Sequence, residues 1–166
     1  YIKDIKKYSA PFVMAIANTR VVRRTAELKQ NNQTSYGPNF SYNEYMKTGS
    51  YMSALMITLG LGVLGLMIVS PISNLFRKLF TKPGNGPDKK TRDEGWFESI
   101  FVVKTETGNK YKFRLFGGGD PGYKSTAKLI CESALCIALN FDQISKNSSG
   151  GVLTTASGLG ETLVNR

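Results

Sequence analysis

The side chains that most often carry out acid–base or metal chemistry are scarce in this chain. It contains no histidine and two cysteines, Cys131 and Cys136. A Ser-His-Asp or Cys-His mechanism and a histidine-ligated zinc or haem site therefore cannot be assembled from its residues. The separation of the two cysteines matches neither a CxxC redox pair nor a zinc knuckle, so we predict no metal site. Both cysteines are expected in the buried core of a helix.

One glycine pattern matches a nucleotide-binding motif by its letters. Gly60, Gly62 and Gly65 fit GxGxxG, but the dinucleotide-binding fingerprint also needs a strand before the first glycine and an acidic residue about twenty positions later. These glycines lie within an apolar run, and the next acidic residue is Asp88. We therefore expect no cofactor site within this segment.

A glycine-rich turn is the first candidate ligand-binding loop. Its candidate residues are Gly118, Gly119, Asp120, Gly122 and Tyr123. In one interpretation, its backbone N–H groups face a carboxylate or a phosphate of a substrate or cofactor. In the other, the turn connects a strand to a helix, with Asp120 as the N-cap and Pro121 at the first helical position.

Three neighbouring arginines form a second candidate site, and they are Arg20, Arg23 and Arg24. Arginine binds a carboxylate or phosphate through two parallel hydrogen bonds, so this trio is suited to an anionic headgroup or a substrate carboxylate. The alternative is a solvated helix face. Asn18 or Thr19 is expected to cap this helix, which runs to about Lys29 and places Arg23 and Glu27 one turn apart.

The charge of the chain points to a lipid surface. There are 22 Lys and Arg against 12 Asp and Glu, which gives a formal net charge of +10. The positive charge lies on both sides of an uncharged window, residues 48–76, as expected beside anionic lipid headgroups. No nucleic-acid-binding signature is present, so we predict no nucleic-acid partner.

Within the uncharged window, Met52–Val69 is a mainly apolar run of 18 residues. As a helix it is about 27 Å long, close to a hydrocarbon core of about 30 Å, so we predict a membrane helix. The alternative is a buried central helix of a soluble domain. The residues expected to face lipid are Met52, Leu55, Leu59, Leu66 and Val69. Ala54, Thr58 and Gly62 recur every four residues, a face of small residues that allows another helix to pack closely.

The flanks of this run carry aromatic and basic residues. The aromatic residues are Tyr42, Tyr45 and Tyr51 before it and Phe76 and Phe80 after it, and such rings favour the headgroup zone. Arg77, Lys78 and Lys82 follow the run. If it spans a bilayer, the positive-inside rule places its C-terminal side on the cytoplasmic or matrix face.

We expect an α/β (α+β) fold with an antiparallel hairpin, packing helices and one hydrophobic, membrane-associated helix. Two β-rich runs, Trp96–Thr105 and Lys110–Phe116, flank a turn at 107–109. In the second run, apolar residues alternate with basic ones, so one face is expected under the helix Ser125–Leu139. Those apolar residues are Tyr111, Phe113 and Leu115. The helix stripe expected to face the core is Ala127, Ile130, Cys131, Ala134 and Ala138.

Several motifs follow one another along the chain. The most specific is Gly118-Gly119-Asp120-Pro121-Gly122-Tyr123. The others are Val13-Met14-Ala15, 17–24, Tyr36-Gly37-Pro38-Asn39-Phe40, Tyr42 with Glu44 and Tyr45, Pro83-Gly84, Gly86-Pro87, Thr126-Ala127-Lys128 and 132–136. In this order they closely resemble the C-terminal half of the saccharopine dehydrogenase-like oxidoreductases, which include the trans-acting enoyl reductases. The family also has eukaryotic lipid-droplet and mitochondrial relatives.

The resemblance implies two domains with different roles. An NAD(P)-binding Rossmann domain is expected N-terminal to this segment, and this chain is expected to be the mixed α/β, substrate-side domain. The expected parts are the start of that domain at 1–47, the membrane segment at 48–81, a linker at 82–95, and the hairpin and helix part at 96–166. No catalytic residue can be carried over, because the Rossmann half is absent from the sequence.

The sequence thus predicts a membrane-anchored portion of an NAD(P)-dependent oxidoreductase with a lipid-related role. The alternative is a non-catalytic structural or anchoring subunit of a larger organellar membrane assembly. The expected partners are a lipid bilayer or lipid-droplet surface, together with proteins that bind through the membrane helix or the missing half. The expected location is an intracellular membrane, of a lipid droplet or a mitochondrion. Because the chain begins at Tyr1 rather than Met, we expect a processed or partial protein.

Overall fold

The computed structural model describes residues 1–30, 35–71, 84, 86–147 and 150–166, with the side chains of 145–147 excepted. Within these residues, helices are mixed with two antiparallel two-stranded sheets. The chain divides into two compact units, Tyr1–Asn85 and Gly86–Arg166. The mixed α/β class predicted from the sequence is confirmed.

The first unit contains two strands and two long helices after a short 3-10 helix. In chain order these are the 3-10 helix Lys3–Ile5, β1 Tyr8–Pro11, α1 Ala15–Leu28, β2 Tyr45–Thr48 and α2 Tyr51–Val69.

β1 and β2 form the sheet of the first unit. They pair antiparallel, with Tyr8 opposite Thr48 and Ala10 opposite Met46. Alternate residues of a strand point to the same face, so these four share one side of the sheet. Ala10 and Thr48 are buried there, and β1 packs against α2, where Ala54 is also buried.

α1 begins earlier than predicted. The predicted caps were Asn18 and Thr19, whereas the helix starts at Ala15. Both polar side chains have other hydrogen-bond partners, Thr19 within the helix and Asn18 outside it. Thr19 Oγ1 donates to the carbonyl of Ala15 at 2.5 Å, and Asn18 Nδ2 donates to Glu44 Oε2 at 2.9 Å. A side chain that finds a partner in this way does not need to terminate the helix.

α2 agrees with the predicted helix to within one residue. Ser50 caps it, because its hydroxyl accepts from the backbone N–H of Ser53 while the Ser53 hydroxyl accepts from the N–H of Ser50. The helix ends where Ser70 adopts an extended conformation before Pro71, as expected for a residue that precedes proline.

α2 is the single helix among the described residues with the length and composition to cross a membrane. Only 6% of its most apolar window is buried by the rest of the chain. In this structure α2 is therefore not the covered central helix of a soluble domain. The predicted flank after it, at Phe76, Arg77, Lys78, Phe80 and Lys82, lies outside the described residues.

The second unit contains a hairpin and five helices among its described residues. In chain order these are α3 Lys89–Glu94, β3 Trp96–Lys104, β4 Lys110–Gly118, α4 Lys124–Leu139, α5 Phe141–Asn147, α6 Thr155–Gly158 and α7 Gly160–Val164. α3 lies within 82–95, the segment predicted as a linker.

The predicted hairpin is confirmed. β3 and β4 pair antiparallel from Trp96 opposite Gly118 to Lys104 opposite Lys110. The turn is closed by a hydrogen bond from the N–H of Gly108 to the Thr105 carbonyl, and Gly108 has a φ of +85°. Glycine adopts this left-handed conformation without the steric cost that a side chain imposes.

Asp88 begins α3. Its carboxylate accepts the backbone N–H of Thr91 at 2.7 Å, the bond that an N-cap residue makes. Hydrogen bonds from the side chain and backbone of Thr91, together with the nearby charge of Arg92, hold the pKa of Asp88 below its usual value. The segment expected to be a flexible linker thus has a specific start signal for a helix.

The burial predicted for the hairpin is wrong. Tyr111, Phe113 and Leu115 were expected under the helix now seen as α4, but each is about half exposed. The alternation does place them on one face, where Phe113 lies opposite Phe101 and Tyr111 opposite Val103. Alternation specifies which residues share a face, and α4 packs mainly with α5 and α7 instead of covering this face.

The prediction of which residues of α4 face the core is also wrong. All five of the predicted residues are exposed, and they are Ala127, Ile130, Cys131, Ala134 and Ala138. The buried residues of this helix are Ser125 and Cys136, which lie on a different side. The prediction that both cysteines are core residues therefore holds for Cys136 alone. Residues of similar polarity lie on two sides of α4, so the helical period alone selected the wrong side.

We predict that Gly95→Ala destabilises the second unit. A Cβ at Gly95 would lie 2.7 Å from both the Cα and the backbone N of Asp120, which cannot move aside as a flexible side chain can. Relief of such an overlap costs about 1–3 kcal/mol. Urea unfolding followed by the fluorescence of Trp96, the single tryptophan, measures this cost.

Gly118→Ala is the matched control, because nothing lies within 4 Å of a Cβ at that position. It is expected to leave the free energy of unfolding unchanged or to raise it by about 0.4–1 kcal/mol. Equal unfolding midpoints for the two variants would contradict the close approach of Gly95 to Asp120.

Candidate functional site

The glycine-rich turn lies between the end of β4 and the start of α4. Its backbone is held by the segment before β3. The N–H of Gly119 donates to the carbonyl of Gly95 at 2.7 Å, and the N–H of Asp120 donates to the carbonyl of Arg92 at 3.0 Å. Gly119 has a φ of +88°, so this position favours glycine. The turn is thus fixed against α3 and both ends of the hairpin.

Asp120 is the buried acceptor at the centre of the turn. Its carboxylate accepts from the backbone N–H groups of Tyr123 at 2.8 Å and Lys124 at 3.0 Å. Its carbonyl accepts the N–H of Ser125 at 3.0 Å. Asp120 therefore holds the connection from β4 to α4, as one of the two sequence interpretations proposed. The regular helix begins at Lys124 and its N-cap residue is Tyr123, so the expected placement of Asp120 at the N-cap and of Pro121 at the first helical position is corrected.

Ser125 completes the turn from the helix side. It is buried, and its hydroxyl lies 3.2 Å from the carbonyl oxygens of Gly118 and Gly119. The ammonium of Lys124 pairs with Asp93 on α3 at 2.6 Å. Tyr123 is half exposed, with its ring against Gly86.

These bonds decide what the turn can do chemically. The N–H groups of 119, 120, 123, 124 and 125 all donate to acceptors of the protein itself. They are therefore not free to receive a carboxylate or phosphate in this conformation. The geometry favours a structural role, in which the turn fixes β4, α3 and α4 relative to one another. The exposed Tyr123 is the side chain of the turn best placed to contact a ligand.

A second polar cluster joins α1 to the segment before β2. Glu44 is its centre, because one carboxylate oxygen accepts from Asn18 Nδ2 at 2.9 Å and the other accepts from the Tyr42 hydroxyl at 2.8 Å. Arg23 donates to the carbonyl of Tyr42 at 3.1 Å. Burial of Tyr42, its hydrogen bond to Glu44 and the charge of that carboxylate raise the pKa of Tyr42 from 10.0 to about 12.

The three candidate arginines have different surroundings. Arg23 contacts the segment before β2, and Arg24 pairs with Glu27 at 2.9 Å. Arg23 and Glu27 lie one turn apart on α1, as predicted, but the ion pair of Glu27 is with Arg24. Arg20 is exposed. The structure does not gather the trio around one point.

A small cavity lies beside the second cluster. Its volume is about 120 Å³, and its lining includes Arg23, Glu27, Pro38 and Phe40. Ligand sites for drug-sized molecules usually occupy about 300–1,000 Å³. This space is suited to a few water molecules or a small ion-pairing group rather than to an extended substrate.

The residues predicted to face lipid are on the surface of α2. Met52, Leu59, Leu66 and Val69 are more than half exposed, and Leu55 is 36% exposed. Of the small residues predicted to pack against another helix, Ala54 is buried within the unit, while Thr58 and Gly62 are exposed. Thr58 donates its hydroxyl proton to the carbonyl of Ala54 at 2.8 Å.

The GxGxxG glycines lie inside α2, without the strand and turn of a dinucleotide-binding loop. Gly60, Gly62 and Gly65 are in the second half of the helix. A pyrophosphate-binding loop presents its glycines at the start of a helix, where the N–H groups have no intrahelical acceptor. Among the described residues, no three His, Cys, Asp or Glu side chains are grouped to hold a metal ion.

Two residues that organise these sites were not found from the sequence. Gly95 has a φ of −59°, so its need for glycine comes from space rather than from conformation. Ser125 is buried by contacts with a distant part of the turn. A glycine directly after a capped helix and a serine three residues after Asp120-Pro121-Gly122 were the available signals.

We predict that one of the eight tyrosines titrates at a pH of about 12, and that this is Tyr42. A raised pKa favours the neutral phenol, so its contribution to stability is complete below a pH of about 10 and is lost as the pH rises through about 12. Glu44→Gln should lower this pKa part of the way, since burial remains while the charge is removed. NMR of ring-labelled tyrosine measures the titration, and Tyr42→Phe assigns it. A late-titrating phenol that persists in Tyr42→Phe would sink the assignment.

Comparison with known proteins gives relatives but no family profile and no structural match. No protein-family profile matches the chain. No solved structure matches it significantly.

Several relatives are mycobacterial proteins. The chain is 35% identical to a protein of Mycobacterium tuberculosis (strain H37Rv) provisionally named a trans-acting enoyl reductase, over 96% of this chain and 39% of that protein. It is 33% identical to a trans-acting enoyl reductase of Mycobacterium bovis (strain BCG), over 96% of this chain and 38% of that protein. A trans-acting enoyl reductase of Mycobacterium ulcerans is 32% identical over the same shares. The chain is thus homologous to proteins named trans-acting enoyl reductase and spans under two-fifths of their length.

Proposed function

We propose that this chain is the substrate-side part of an oxidoreductase of the trans-acting enoyl reductase kind. The observation that carries the proposal is 35% identity to such a protein over 96% of the chain. Because the chain spans 39% of that relative, the activity belongs to a longer protein. The motifs around Asp120 further suggest the saccharopine dehydrogenase-like group.

In this proposal, NAD(P) is bound by a Rossmann domain outside the chain. The glycines that match the fingerprint are inside α2, which supports this placement. The turn around Asp120 fixes the edge formed by β4 and α4, and Tyr123 is the exposed side chain that it presents. The role assigned to this chain is therefore positioning and substrate contact rather than hydride transfer.

A segment exchange tests the proposal. In the M. bovis relative, the segment that matches this chain is replaced by the chain itself, and reduction of an enoyl substrate is followed by oxidation of NADPH or NADH. We expect the chimaera to retain turnover, and we expect the isolated chain in detergent to show no saturable binding of either nucleotide.

Two controls make the exchange decisive. In a chimaera with Tyr123→Phe, a KM that differs from that of the unsubstituted chimaera indicates contact between Tyr123 and the substrate. A chimaera with the remote Tyr111→Phe should have the same KM as the unsubstituted chimaera. If a folded chimaera binds nucleotide but shows no turnover, the chain is instead a structural or anchoring element. Saturable nucleotide binding by the isolated chain would contradict the assigned location of the cofactor.

We infer a second property, that α2 attaches the chain to a lipid bilayer. The observation that favours it is an apolar helix of 19 residues of which the rest of the chain covers little. Exposure of this much apolar surface to water is unfavourable by roughly 25 cal/mol per Å². An intracellular membrane, such as that of a mitochondrion or a lipid droplet, stays a prediction from the sequence resemblance.

We predict that Gly62→Arg weakens membrane insertion of α2. An arginine near the middle of a membrane helix costs about 2.5–3.5 kcal/mol on insertion scales. Carbonate extraction of membranes from cells that express the chain measures the loss. Gly49→Arg adds the same charge before the helix, where nothing lies within 4 Å of a Cβ, and should stay with the membrane. Release of the parent chain into the soluble fraction would contradict the anchoring role.

A further inference from the structure

The start of α2 carries a group of tyrosine rings that the sequence does not bring together. The rings of Tyr1 and Tyr8 meet edge to face at 5.1 Å, and those of Tyr8 and Tyr51 meet at 6.0 Å. Tyr1 and Tyr51 are 64% and 60% exposed. These three rings, the aromatic collar, stand at the N-terminal end of an exposed apolar helix.

The collar is fixed by the sheet of the first unit. Tyr8 is the first residue of β1 and lies opposite Thr48, three positions before Tyr51 begins α2. Thr48 is buried, and its hydroxyl donates to the Ser50 carbonyl at 3.3 Å. The sheet and the helix cap therefore set the distance between the rings and the first turn of α2.

Basic residues lie between two members of the collar. Lys3, Lys6 and Lys7 are exposed in the segment that joins Tyr1 to Tyr8. The backbone of Lys7 pairs with that of Ile2, which folds this segment back on itself beside β1. The backbone that carries the three lysines therefore stays next to the aromatic collar rather than being extended.

We propose that the aromatic collar and these three lysines form a binding surface for anionic lipid headgroups. The proposal rests on the attachment of α2 to a bilayer. Tyrosine rings favour the boundary between hydrocarbon and water, since they combine an apolar ring with a polar hydroxyl. Lysines at that boundary are attracted by the negative surface of an anionic leaflet. The first turn of α2 then lies at the headgroup level, with the remainder of the helix in the hydrocarbon.

Vesicle flotation tests the surface. The full chain is diluted from detergent into vesicles of phosphatidylcholine alone, or of phosphatidylcholine mixed with phosphatidylglycerol. We expect binding to both, and tighter binding to the anionic vesicles. Each lysine removed should weaken the anionic increment about fivefold. High salt should remove the increment and leave binding to the neutral vesicles unchanged.

The matched variants carry the same change of charge at different places. Replacement of Lys3, Lys6 and Lys7 by Gln should remove the anionic increment. Replacement by Gln of three exposed lysines of the second unit, Lys89, Lys112 and Lys128, should leave it in place. Equal losses in the two triple variants would overturn the proposal, because net charge alone would then explain the effect.

The outcomes separate this proposal from the attachment of α2. Absence of binding to neutral vesicles shows that α2 does not insert, and the proposal falls with it. Binding to neutral vesicles without an anionic increment overturns the headgroup surface alone and leaves the attachment intact.

Depth is measured independently with a tryptophan placed in the collar. Tyr51→Trp in a Trp96→Phe background gives a single reporter. Lipids brominated near the headgroup end of the acyl chain should quench it more than lipids brominated near the methyl end. The opposite order would place the collar deep in the hydrocarbon and overturn the proposal.

Discussion

The contact between Gly95 and the Gly119–Asp120 backbone is the constraint on which the second unit depends. It links the end of α3, both ends of the hairpin and the start of α4. Few apolar side chains could replace it, because the buried apolar residues of the described chain are three small ones, Ala10, Ala54 and Cys136. Burial of such small side chains contributes little free energy. Caps and ladder hydrogen bonds therefore set the local geometry, and one added methyl group at Gly95 acts on all of them.

A structure held in this way leaves large apolar side chains exposed, and their locations guide the functional proposals. On α2 they surround the helix, which suits lipid. On the hairpin they lie on both faces, with Phe101 and Phe113 on one face and the stacked rings of Trp96 and Phe116 on the other. In the proposed oxidoreductase, the additional length of the relatives supplies chain that can cover the second surface. The surface of α2 is thus suited to lipid and the surface of the hairpin to additional protein chain, although hydropathy alone describes both as apolar.

The sequence predicted the elements better than their surroundings. The apolar window gave α2 to within one residue, and alternation with a turn at Gly108 gave the hairpin, because both signals are local. The connection from β4 to α4 around Asp120 was also identified, but its contact with Gly95 joins residues far apart in the chain and was missed. Faces were assigned wrongly at Phe113 and Cys131, since a periodic pattern groups side chains without specifying which group is covered.

The difference between neighbours in sequence and neighbours in the folded chain also changes which charges flank α2. Counted along the chain, Lys47 precedes the helix, whereas Arg77, Lys78 and Lys82 follow it. The excess of basic residues after the helix favours a cytoplasmic C-terminal side. Folding adds the lysines before Tyr8 to the other end, because β1 packs against α2 and carries them there. With positive charge at both ends, the charge bias no longer selects an orientation. In the proposed attachment the tyrosine rings then become the stronger constraint, since they would set the depth of the first turn whichever side of the bilayer it faces.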